Sequence, residues 1–191
     1  MKYNIILSDF PWYYNSRNNS KTRFGSGCGG HYDTLKMEEI KALPIKEIVA
    51  DNCAMFMWCT MPYLDRQIEL FKHFGFKYKT CGFTWVKTNP IKNTPFFGVG
   101  YYTKSNTELC LLGIRGKMKP ISNKISSVVI SPKKEHSRKP DEVREKIVEL
   151  FGDLPRIELF ARQKTEGWVS IGKEVTGNDI LVDLQKEITG V

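Results

Sequence analysis

The apolar run near the amino end of the chain sets the strongest constraint on the fold. It extends from Tyr3 to Leu7 and stops at Ser8 and Asp9, a pattern typical of a buried parallel strand that delivers polar side chains at its carboxyl end. In open α/β sheets, ligands bind at that edge. The sequence therefore predicts an α/β sheet with a functional site around Asp9.

The segment that follows this strand has an unusual chemical content. Asp9-Phe10-Pro11-Trp12 combines a carboxylate, a proline without a backbone donor, and a tryptophan that we expect at an exposed edge. Pro11 fixes its own φ and biases Phe10 toward an extended conformation, so consecutive carbonyl oxygens can point into one cavity and accept hydrogen bonds from an amine. A strand end that only plugs the core explains the same residues, so the rest of the sequence must decide.

Strand-like and helix-like segments alternate along the chain. Apolar runs rich in β-formers predict further strands over 53–59, 80–86, 107–114, 156–160 and 168–171. Helical spacing of apolar residues predicts helices over 36–43, over 62–75 and from Pro140 onward, whereas the tail from Gly177 has no assignment. This alternation predicts a single domain over 1–191, with a mostly parallel sheet flanked by helices. A polar, Gly-rich loop over 13–31 and a loop over 87–105 are expected to border the site.

The charge balance favours a partner that carries phosphates. Lys and Arg outnumber Asp and Glu by 29 to 21, giving a net charge of +8, and basic surfaces bind nucleic acid by releasing its counterions. Five widely spaced cysteines without a Cys-x-x-Cys pair predict reduced core thiols, and the lack of a signal segment or long apolar run predicts a cytoplasmic protein. No metal is expected, because the three histidines form no cluster with metal-ligand spacing and the zinc deaminase pattern is absent.

Seven further segments accompany Asp9-Phe10-Pro11-Trp12 in order along the chain. They are His31-Tyr32-Asp33-Thr34-Leu35, Met55-Phe56-Met57-Trp58, Trp85-Val86-Lys87-Thr88-Asn89, Glu108-Leu109-Cys110-Leu111-Leu112-Gly113, Ser137-Arg138-Lys139-Pro140-Asp141-Glu142, Arg156-Ile157-Glu158-Leu159-Phe160-Ala161-Arg162 and Gly167-Trp168-Val169-Ser170-Ile171-Gly172. With these segments the chain resembles the MT-A70-like family of adenine methyltransferases over roughly residues 3–174. That family includes the catalytic subunit of the eukaryotic messenger-RNA enzyme and many bacterial and phage proteins.

The resemblance implies a Rossmann-like methyltransferase fold in permuted order, with the catalytic strand first and the cofactor strand, 157–160, near the end. It implies S-adenosylmethionine as the cofactor and the exocyclic N6 amine of adenine in nucleic acid as the target, with DNA favoured over RNA. Acceptors on both protons of this weakly nucleophilic amine would localise its lone pair for attack on a methyl sulfonium. A homodimer or a heteromeric partner is compatible with the family.

The resemblance also implies a role for individual residues. Asp9, Phe10, Pro11 and Trp12 would be catalytic, and Lys139 would pair with the cofactor carboxylate or with Asp9. The cofactor-binding residues would be Asp9, Leu35, Lys139, Phe160, Arg162, Lys164, Thr165, Lys173 and Glu174. The substrate-binding residues would be Trp12, which can stack on an extruded base, and Tyr32, Lys87 and Asn89. Three basic residues of the polar loop are candidates for phosphate contacts: Arg17, Lys21 and Arg23.

The sequence departs from the family pattern at three places. Phe10 stands where proline is usual, which we expect to change rigidity only, because the acceptor there is a backbone carbonyl. No acidic residue precedes Asp9, so the usual acidic cofactor ligand must be replaced, and Asp179 and Asp183 are the candidates. Lys173 stands where asparagine is common, and this places its adenosine contact in question.

Three functions remain open at this point. The first is an active nucleic-acid adenine methyltransferase. The second is a non-catalytic, nucleic-acid-binding subunit of the same family, against which the intact Asp9, Pro11, Trp12 and Lys139 argue. The third is a methyltransferase for a small molecule or a protein amide, which would leave the basic charge unexplained. Transfer of a labelled methyl group to DNA or RNA distinguishes them.

Overall fold

The computed structural model describes residues 1–13, 34–92, 94–98, 100, 102–134 and 138–190. Its strands are β1 (Tyr3–Ser8), β2 (Val49–Cys59), β3 (Lys77–Thr88), β4 (Thr107–Arg115), β5 (Val128–Pro132), β6 (Arg156–Leu159) and β7 (Val169–Ile171). They form one sheet in the order β5-β3-β4-β2-β1-β6-β7. Strand β4 is antiparallel to both of its neighbours, whereas every other pairing is parallel. The predicted mostly parallel sheet is confirmed.

Helices cover both faces of this sheet. They are α1 (Met37–Lys41), α2 (Ile45–Ile48), α3 (Leu64–His73), α4 (Glu142–Phe151), α5 (Lys173–Thr176) and α6 (Ile180–Thr189). One core cluster packs α1, α2, α3 and α6 against one face through residues such as Ile40, Phe71 and Leu184. A second cluster packs α4 against the opposite face through Ile147 and Phe151. The predicted α/β fold of Rossmann-like type is therefore confirmed.

The central strand is apolar because it is buried on both faces. Ile6 of β1 belongs to the first core cluster, whereas Ile5 and Leu7 belong to the second. Side chains alternate between the faces of a strand, so a strand covered by helices on both sides is apolar throughout. This burial explains the continuous apolar run at the start of the sequence.

The sheet topology creates a crevice at the carboxyl end of β1. Ser8 pairs with Met57 of β2 on one side and with Leu159 of β6 on the other. The next residues, Asp9, Trp58 and Phe160, therefore lie at one level along this edge. The chain leaves β1 toward β2 and returns through β6 on the other side, and ligands bind at such switch points. We call this edge of the sheet the catalytic edge.

The structure contains four elements that the sequence patterns do not predict, namely β5, α2, α5 and α6. Helix α6 corrects the expectation that Asp179 or Asp183 replaces the acidic cofactor ligand. Asp179 caps α6 by accepting a hydrogen bond from the Leu181 N–H at 2.8 Å. The buried Asp183 accepts hydrogen bonds from Thr176 Oγ1 at 2.6 Å and Asn178 Nδ2 at 2.8 Å. Both carboxylates stabilise the end of the chain.

The cysteines of the described ranges are free thiols. Cys53, Cys59 and Cys110 are buried and Cys81 is half-buried. Burial raises the pKa of Cys53 and of Cys59 to about 12, so both thiols stay protonated at neutral pH and are poor nucleophiles. Within the same ranges, the helices are too short or too polar to span a membrane.

Candidate active site

A chain of alternating charges crosses the catalytic edge. Lys139 Nζ donates a hydrogen bond to Asp9 Oδ2 at 2.8 Å and lies 3.2 Å from Glu108 Oε2. Lys87 Nζ lies 2.6 Å from Glu108 Oε1. Because two carboxylates alternate with two ammonium groups, the four charges cancel locally. We call Asp9, Lys139, Glu108 and Lys87 the charge chain.

Four separate elements supply the charge chain. Asp9 follows β1, Lys87 lies near the end of β3, Glu108 lies at the start of β4, and Lys139 precedes α4. Glu108 reaches the catalytic edge because β4 runs opposite to its neighbours and begins there.

Two tryptophan rings flank the cations of the charge chain. Lys139 Nζ lies 5.6 Å from the centroid of the Trp58 ring, and Lys87 Nζ lies 5.4 Å from the centroid of the Trp85 ring. The faces of aromatic rings attract cations at this range. The rings therefore help to hold both ammonium groups beside the carboxylates.

The pairing keeps these groups charged despite their burial. Burial alone would lower the pKa of Lys139, but the carboxylates of Asp9 and Glu108 raise that pKa above its ordinary value. Burial alone would raise the pKa of Glu108, but Lys139 and Lys87 lower it overall. At neutral pH, Lys139 is therefore a cation and Glu108 an anion.

Asp9 retains an oxygen that can accept a hydrogen bond. Its Oδ2 is bound by Lys139, whereas Oδ1 has no hydrogen-bond partner among the described residues. The Asp9 side chain is 25% exposed, so the carboxylate is partly open to solvent at the catalytic edge. A carboxylate anchored through one oxygen presents the other as a fixed acceptor.

An aromatic cluster joins the catalytic strand to the predicted cofactor strand. The Phe10 ring is 2% exposed and lies 5.4 Å, centroid to centroid, from the ring of Phe160. It also stacks on Phe74 at 6.3 Å and meets Trp12 edge-on at 6.0 Å. Phe160 has a φ of +59°, which is costly for a bulky residue. The packing of Phe10 helps to hold that conformation.

The backbone around Pro11 is paired with a second segment. The Leu35 N–H donates to the Pro11 carbonyl at 2.7 Å, and the Tyr13 N–H donates to the Leu35 carbonyl at 3.0 Å. The Pro11 carbonyl thus already accepts one backbone hydrogen bond. The Phe10 carbonyl accepts the Trp12 N–H at 3.0 Å and, like any carbonyl, has a second lone pair. It is the backbone acceptor that directly follows Asp9.

Trp12 is buried rather than exposed as the sequence suggests. Its ring is 4% exposed and lies 6.0 Å from the Tyr63 ring, centroid to centroid. Its Nε1–H is buried and has no hydrogen-bond partner within the described ranges. A cavity of about 270 Å³ opens beside this ring. The cavity is lined by Trp12, Tyr13, Leu35, Lys36, Met37, Tyr63 and Arg66.

The predicted cofactor residues near Phe160 converge at the ends of β6 and β7. Arg162 Nη1 lies 3.6 Å from Glu174 Oε1, and Lys173 begins the short helix α5 beside Glu174. Gly172 lets these segments approach, because a Cβ atom there would lie 2.8 Å from the Ala161 carbonyl oxygen. Its φ of +153° also disfavours any other residue.

Lys164 and Thr165 line a different cavity, of about 600 Å³, between α4 and residues 163–168. Its lining includes Asp141, Arg144 and Trp168 but neither Asp9 nor Lys139. The cavity is larger than the one beside Trp12, yet the charge chain lies outside it. We therefore place the reaction at Asp9 rather than in this larger cavity.

Asp141 supports the structure of the site. The sequence pattern predicts only that Asp141 lies in the first turn of α4. It accepts hydrogen bonds from Lys134 at 2.6 Å, Gln163 at 2.7 Å and Arg144 at 2.8 Å. Burial alone would raise the pKa of Asp141, but the surrounding cations, with Lys134 first, lower it overall. Asp141 thus ties the segment that carries Lys139 to the loop that follows β6.

Sequence comparison now assigns the family. The MT-A70 family model matches residues 3–174, which include the whole charge chain. The chain belongs to the MT-A70 family. The predicted family and the predicted enzyme class, adenine-N6 methyltransferase, are confirmed.

Individual MT-A70-like relatives differ in how much of their length the chain matches. The Type II methyltransferase M.MunI of Mycoplasma sp is 35% identical over 98% of this chain and 84% of its own length. The human N(6)-adenosine-methyltransferase catalytic subunit METTL3 is 24% identical over 94% of this chain and 29% of its own length. An N(6)-adenosine-methyltransferase MT-A70-like protein of Arabidopsis thaliana is 29% identical over 76% of this chain and 22% of its own length. The chain thus spans most of the first relative and about a quarter of the other two.

The substrate residues predicted for this MT-A70 member have mixed placements. Lys87 belongs to the charge chain, whereas Asn89 Oδ1 accepts hydrogen bonds from the backbone N–H groups of Ile91 and Lys92 at 2.9 and 3.1 Å. Asn89 therefore stabilises a turn. The other candidates lie outside the described residues: Arg17, Lys21, Arg23 and Tyr32. Glu108 and Trp58 also belong to the site, although neither is predicted as a site residue from the sequence. Each lies within one of the family segments, and that is the only indication of them in the sequence.

Proposed function

We propose that this MT-A70 enzyme transfers a methyl group from S-adenosylmethionine to the N6 amine of adenine in DNA. The observation that carries the proposal is the geometry of Asp9. This carboxylate is anchored through one oxygen by Lys139 and presents the other oxygen at the catalytic edge. An amine that carries two protons needs two such acceptors, and the Phe10 carbonyl is the second.

The two acceptors act on the lone pair of the target nitrogen. In free adenine this lone pair is delocalised into the ring. Hydrogen bonds from the two amine protons to Asp9 Oδ1 and to the Phe10 carbonyl favour a nitrogen with a localised lone pair. Because Lys139 donates to Asp9 Oδ2, the carboxylate is held in place and its Oδ1 can act as an acceptor. Asp9 Oδ1 is also placed to receive the proton that the amine loses after the transfer.

The residues of the crevice have the chemistry that S-adenosylmethionine requires. When bound, this cofactor supplies an electrophilic methyl group on a sulfonium. The Asp9 carboxylate complements its positive charges, and Lys139 complements its carboxylate. Glu174 is placed to accept from ribose hydroxyls, and Arg162 fixes Glu174 at 3.6 Å. We propose that Phe160, Leu35 and Lys173 also contact the cofactor.

Two further predicted cofactor residues, Lys164 and Thr165, line the separate cavity between α4 and residues 163–168. Thr165 Oγ1 is buried, and none of the described residues provides it with a hydrogen-bond partner. Buried polar atoms are rarely left unpaired, so this hydroxyl is available to a bound ligand. We propose that it pairs with the nucleoside part of the cofactor.

The cavity beside Trp12 is the proposed site of the extruded base. A base in this cavity would contact the Trp12 and Tyr63 rings, and stacking on an aromatic ring stabilises an unpaired base by roughly 1–3 kcal/mol. The buried Trp12 Nε1–H, unpaired within the described ranges, would then have a ring nitrogen as an acceptor. Both features suit an unpaired base, and the choice of adenine rests on the family.

The preference for DNA over RNA rests on how the relatives align. The relative named a Type II methyltransferase is matched over 84% of its length. The relatives named N(6)-adenosine-methyltransferases are matched over about a quarter of theirs, 22% and 29% in the two cases. The chain thus matches most of the length of the Type II methyltransferase but only one part of each N(6)-adenosine-methyltransferase.

The test is a methyl-transfer assay with matched nucleic acids. DNA and RNA oligonucleotides of one adenine-containing sequence are incubated with the protein and methyl-labelled S-adenosylmethionine. Mass spectrometry should then find N6-methyladenine in the DNA. Oligonucleotides without adenine serve as the control and should remain unlabelled. Cofactor binding without transfer to either nucleic acid would overturn the proposal and favour a non-catalytic subunit, whereas transfer to RNA alone would overturn the choice of DNA.

A further inference from the structure

The positive charge of the protein is concentrated in one part of the chain. Residues 87–139 contain eleven Lys and Arg residues and two acidic residues, a net charge of +9, although the whole chain has +8. The remainder of the sequence is therefore close to neutral. This segment contains β4, β5 and the last two residues of β3. These three strands form one end of the sheet. A phosphate-bearing partner is attracted to that end.

Exposed lysines occur at both edges of this end of the sheet. Strands β3 and β5 end at the catalytic edge and β4 begins there, so the loop over 89–106 and the residues after β5 lie at that edge. Their exposed lysines include Lys92, Lys104 and Lys133. The loop over 116–127 lies at the opposite edge and contains the exposed Lys117, Lys119 and Lys124. The two sets are equal in charge but differ in their position relative to Asp9.

Among the described residues of these two loops, exposed aromatic side chains occur beside the lysines at the catalytic edge and not at the opposite edge. Tyr102 is fully exposed and Phe97 is 65% exposed, and both belong to the loop over 89–106. Ile91 of this loop is also exposed, and Lys133 Nζ lies 4.9 Å from the Phe96 ring centroid. The surface composed of Ile91, Lys92, Phe97, Tyr102, Lys104 and Lys133 is hereafter the edge patch.

The edge patch is directly connected to the charge chain. The Phe96 N–H donates to the Lys87 carbonyl at 2.9 Å, and the Lys133 N–H donates to the Thr88 carbonyl at 3.1 Å. Lys87 in turn pairs with Glu108, which shares Lys139 with Asp9. A ligand on the edge patch therefore lies at the same edge of the sheet as Asp9.

We propose that the edge patch binds the nucleic-acid strand beside the target adenine as an unpaired strand. Lys92, Lys104 and Lys133 contact phosphates, and the rings of Phe97 and Tyr102 stack on neighbouring bases. Lysines alone would suit any polyanion, but exposed rings need open base faces, which a single strand offers and a continuous duplex does not. The inference rests on the proposed function, because it takes nucleic acid as the substrate.

Fluorescence anisotropy with labelled oligonucleotides tests the edge patch. Single-stranded DNA, its duplex and the matching single-stranded RNA are titrated at several salt concentrations. The triple variant Lys92→Gln, Lys104→Gln, Lys133→Gln should bind single strands at least tenfold more weakly. Its salt dependence should be shallower by roughly two, because each phosphate contact contributes about 0.7 to the slope for single strands. The control variant Lys117→Gln, Lys119→Gln, Lys124→Gln should retain most of the affinity; equal weakening by the two variants would overturn the inference.

The aromatic rings are tested by the double variant Phe97→Ala, Tyr102→Ala. It should lose at least tenfold in affinity for single strands and less for the duplex, with DNA and RNA affected alike. Equal losses for single strands and duplex would overturn the stacking, and so would unchanged binding. A wild-type dimer that this variant dissociates, with nucleic-acid binding unaffected, would identify the edge patch as a contact between copies of the chain and overturn the inference.

Kinetics separate this inference from the proposed function. In the methyl-transfer assay, both edge-patch variants should raise KM for the nucleic acid at least tenfold and leave kcat within about twofold. Unchanged KM with normal transfer would overturn the edge patch alone. Wild-type protein that binds single strands through the edge patch but transfers no methyl group would overturn the proposed function alone.

Discussion

Lys139 Nζ donates a hydrogen bond to Asp9 Oδ2 at 2.8 Å, although the two residues are 130 positions apart in the sequence. The contact joins the first strand of the sheet to the segment that begins α4. It anchors one carboxylate oxygen and leaves the other available within the described ranges. Because Lys139 also contacts Glu108, the position of Asp9 depends on elements from across the sheet.

The first prediction concerns Asp9 itself. Asp9→Asn keeps the shape of the side chain but removes the charge that complements Lys139, and its amide can offer NH₂ donors where the target amine needs an acceptor. We expect kcat/KM to fall at least about 100-fold, as for the loss of one group that stabilises a transition state. Circular dichroism and cofactor titration should show a folded protein. Asp65→Asn on the exposed side of α3 is the matched control, and normal turnover of Asp9→Asn would disprove the catalytic assignment.

The second prediction concerns Glu108 and acid stability. An unfolded Glu has a pKa of about 4.3, and Lys139 and Lys87 lower the pKa of Glu108 in the folded protein despite its burial. The ionised carboxylate therefore stabilises the fold above about pH 4.3, and this contribution is lost as the pH falls toward the folded-state pKa. Glu108→Gln should show a weaker pH dependence of the free energy of unfolding in this acidic range, by up to about 1.4 kcal/mol per pH unit.

Urea denaturation at a series of pH values measures this difference. At neutral pH, Glu108→Gln should also be less stable than the wild type, by no more than about 3–5 kcal/mol, because two buried lysines lose a partner. Glu69→Gln, which removes an exposed carboxylate from α3, is the control. Identical slopes for Glu108→Gln and the wild type would mean that the charge chain is not coupled to folding.

The third prediction concerns Phe10, which stands where the family usually has proline. Its ring packs on Phe160, Phe74 and Trp12, so Phe10→Ala should destabilise the fold by about 3–5 kcal/mol. Phe10→Leu retains much of the apolar volume and should cost less than half as much. Both are measured by urea denaturation. Equal free energies of unfolding for Phe10→Ala and the wild type would show that the Phe10 ring does not stabilise the fold.

The fourth prediction concerns Trp12. Trp12→Ala should raise KM for the nucleic acid at least about fivefold, the lower limit for the loss of one stacked base, and leave the Kd of the cofactor within about twofold. Trp12→Phe retains an aromatic face and should restore much of the affinity for the base. If Trp12→Ala weakened cofactor binding as much as base binding, the ring would be part of the core and not of the base site.

The fifth prediction concerns Gly172. A Cβ atom there would lie 2.8 Å from the Ala161 carbonyl oxygen and 3.0 Å from the Phe160 carbonyl carbon, so Gly172→Ala must displace the end of β6. We expect cofactor affinity to fall at least tenfold by calorimetric titration. Gly177→Ala is the control, since its φ is also positive, at +76°, but no atom lies within 4 Å of the added Cβ. It should cost only backbone strain, about 1–2 kcal/mol, and spare the cofactor site.

The sequence predicts the parts of the fold that are encoded in long local patterns. The apolar run of β1 and the helical spacing of α3 and α4 each show one buried surface repeated over several residues. Strand β5 has only five residues, Val128–Pro132, and alternates exposed with buried positions, so its pattern is too short to detect. Helix α6 has a readable signal, with Asp179 as its cap and Ile180 and Leu184 buried one turn apart.

The sequence predicts those site residues that belong to a recognisable segment, but not the contacts between residues of different segments. Asp9 and Lys139 are identified from the family segments. Asp9 is one of the two partners expected for Lys139, the other being the cofactor carboxylate. The role of Glu108 does not follow from any local pattern, because it arises when an antiparallel strand brings its first residues beside two lysines from other elements. The buried Trp12 ring likewise depends on Tyr63 and Phe10, which pack around it.

The reversed direction of β4 has a consequence for how this enzyme can change. Because β3 ends and β4 begins at the same edge, the loop over 89–106 leaves and re-enters the sheet on neighbouring strands. Such a loop can be lengthened, shortened or exchanged without moving Asp9 or the strands beneath it, since exposed loops tolerate insertions that cores do not. A change confined to this surface segment can therefore alter the proposed contacts with the nucleic acid, while Asp9 stays on the sheet.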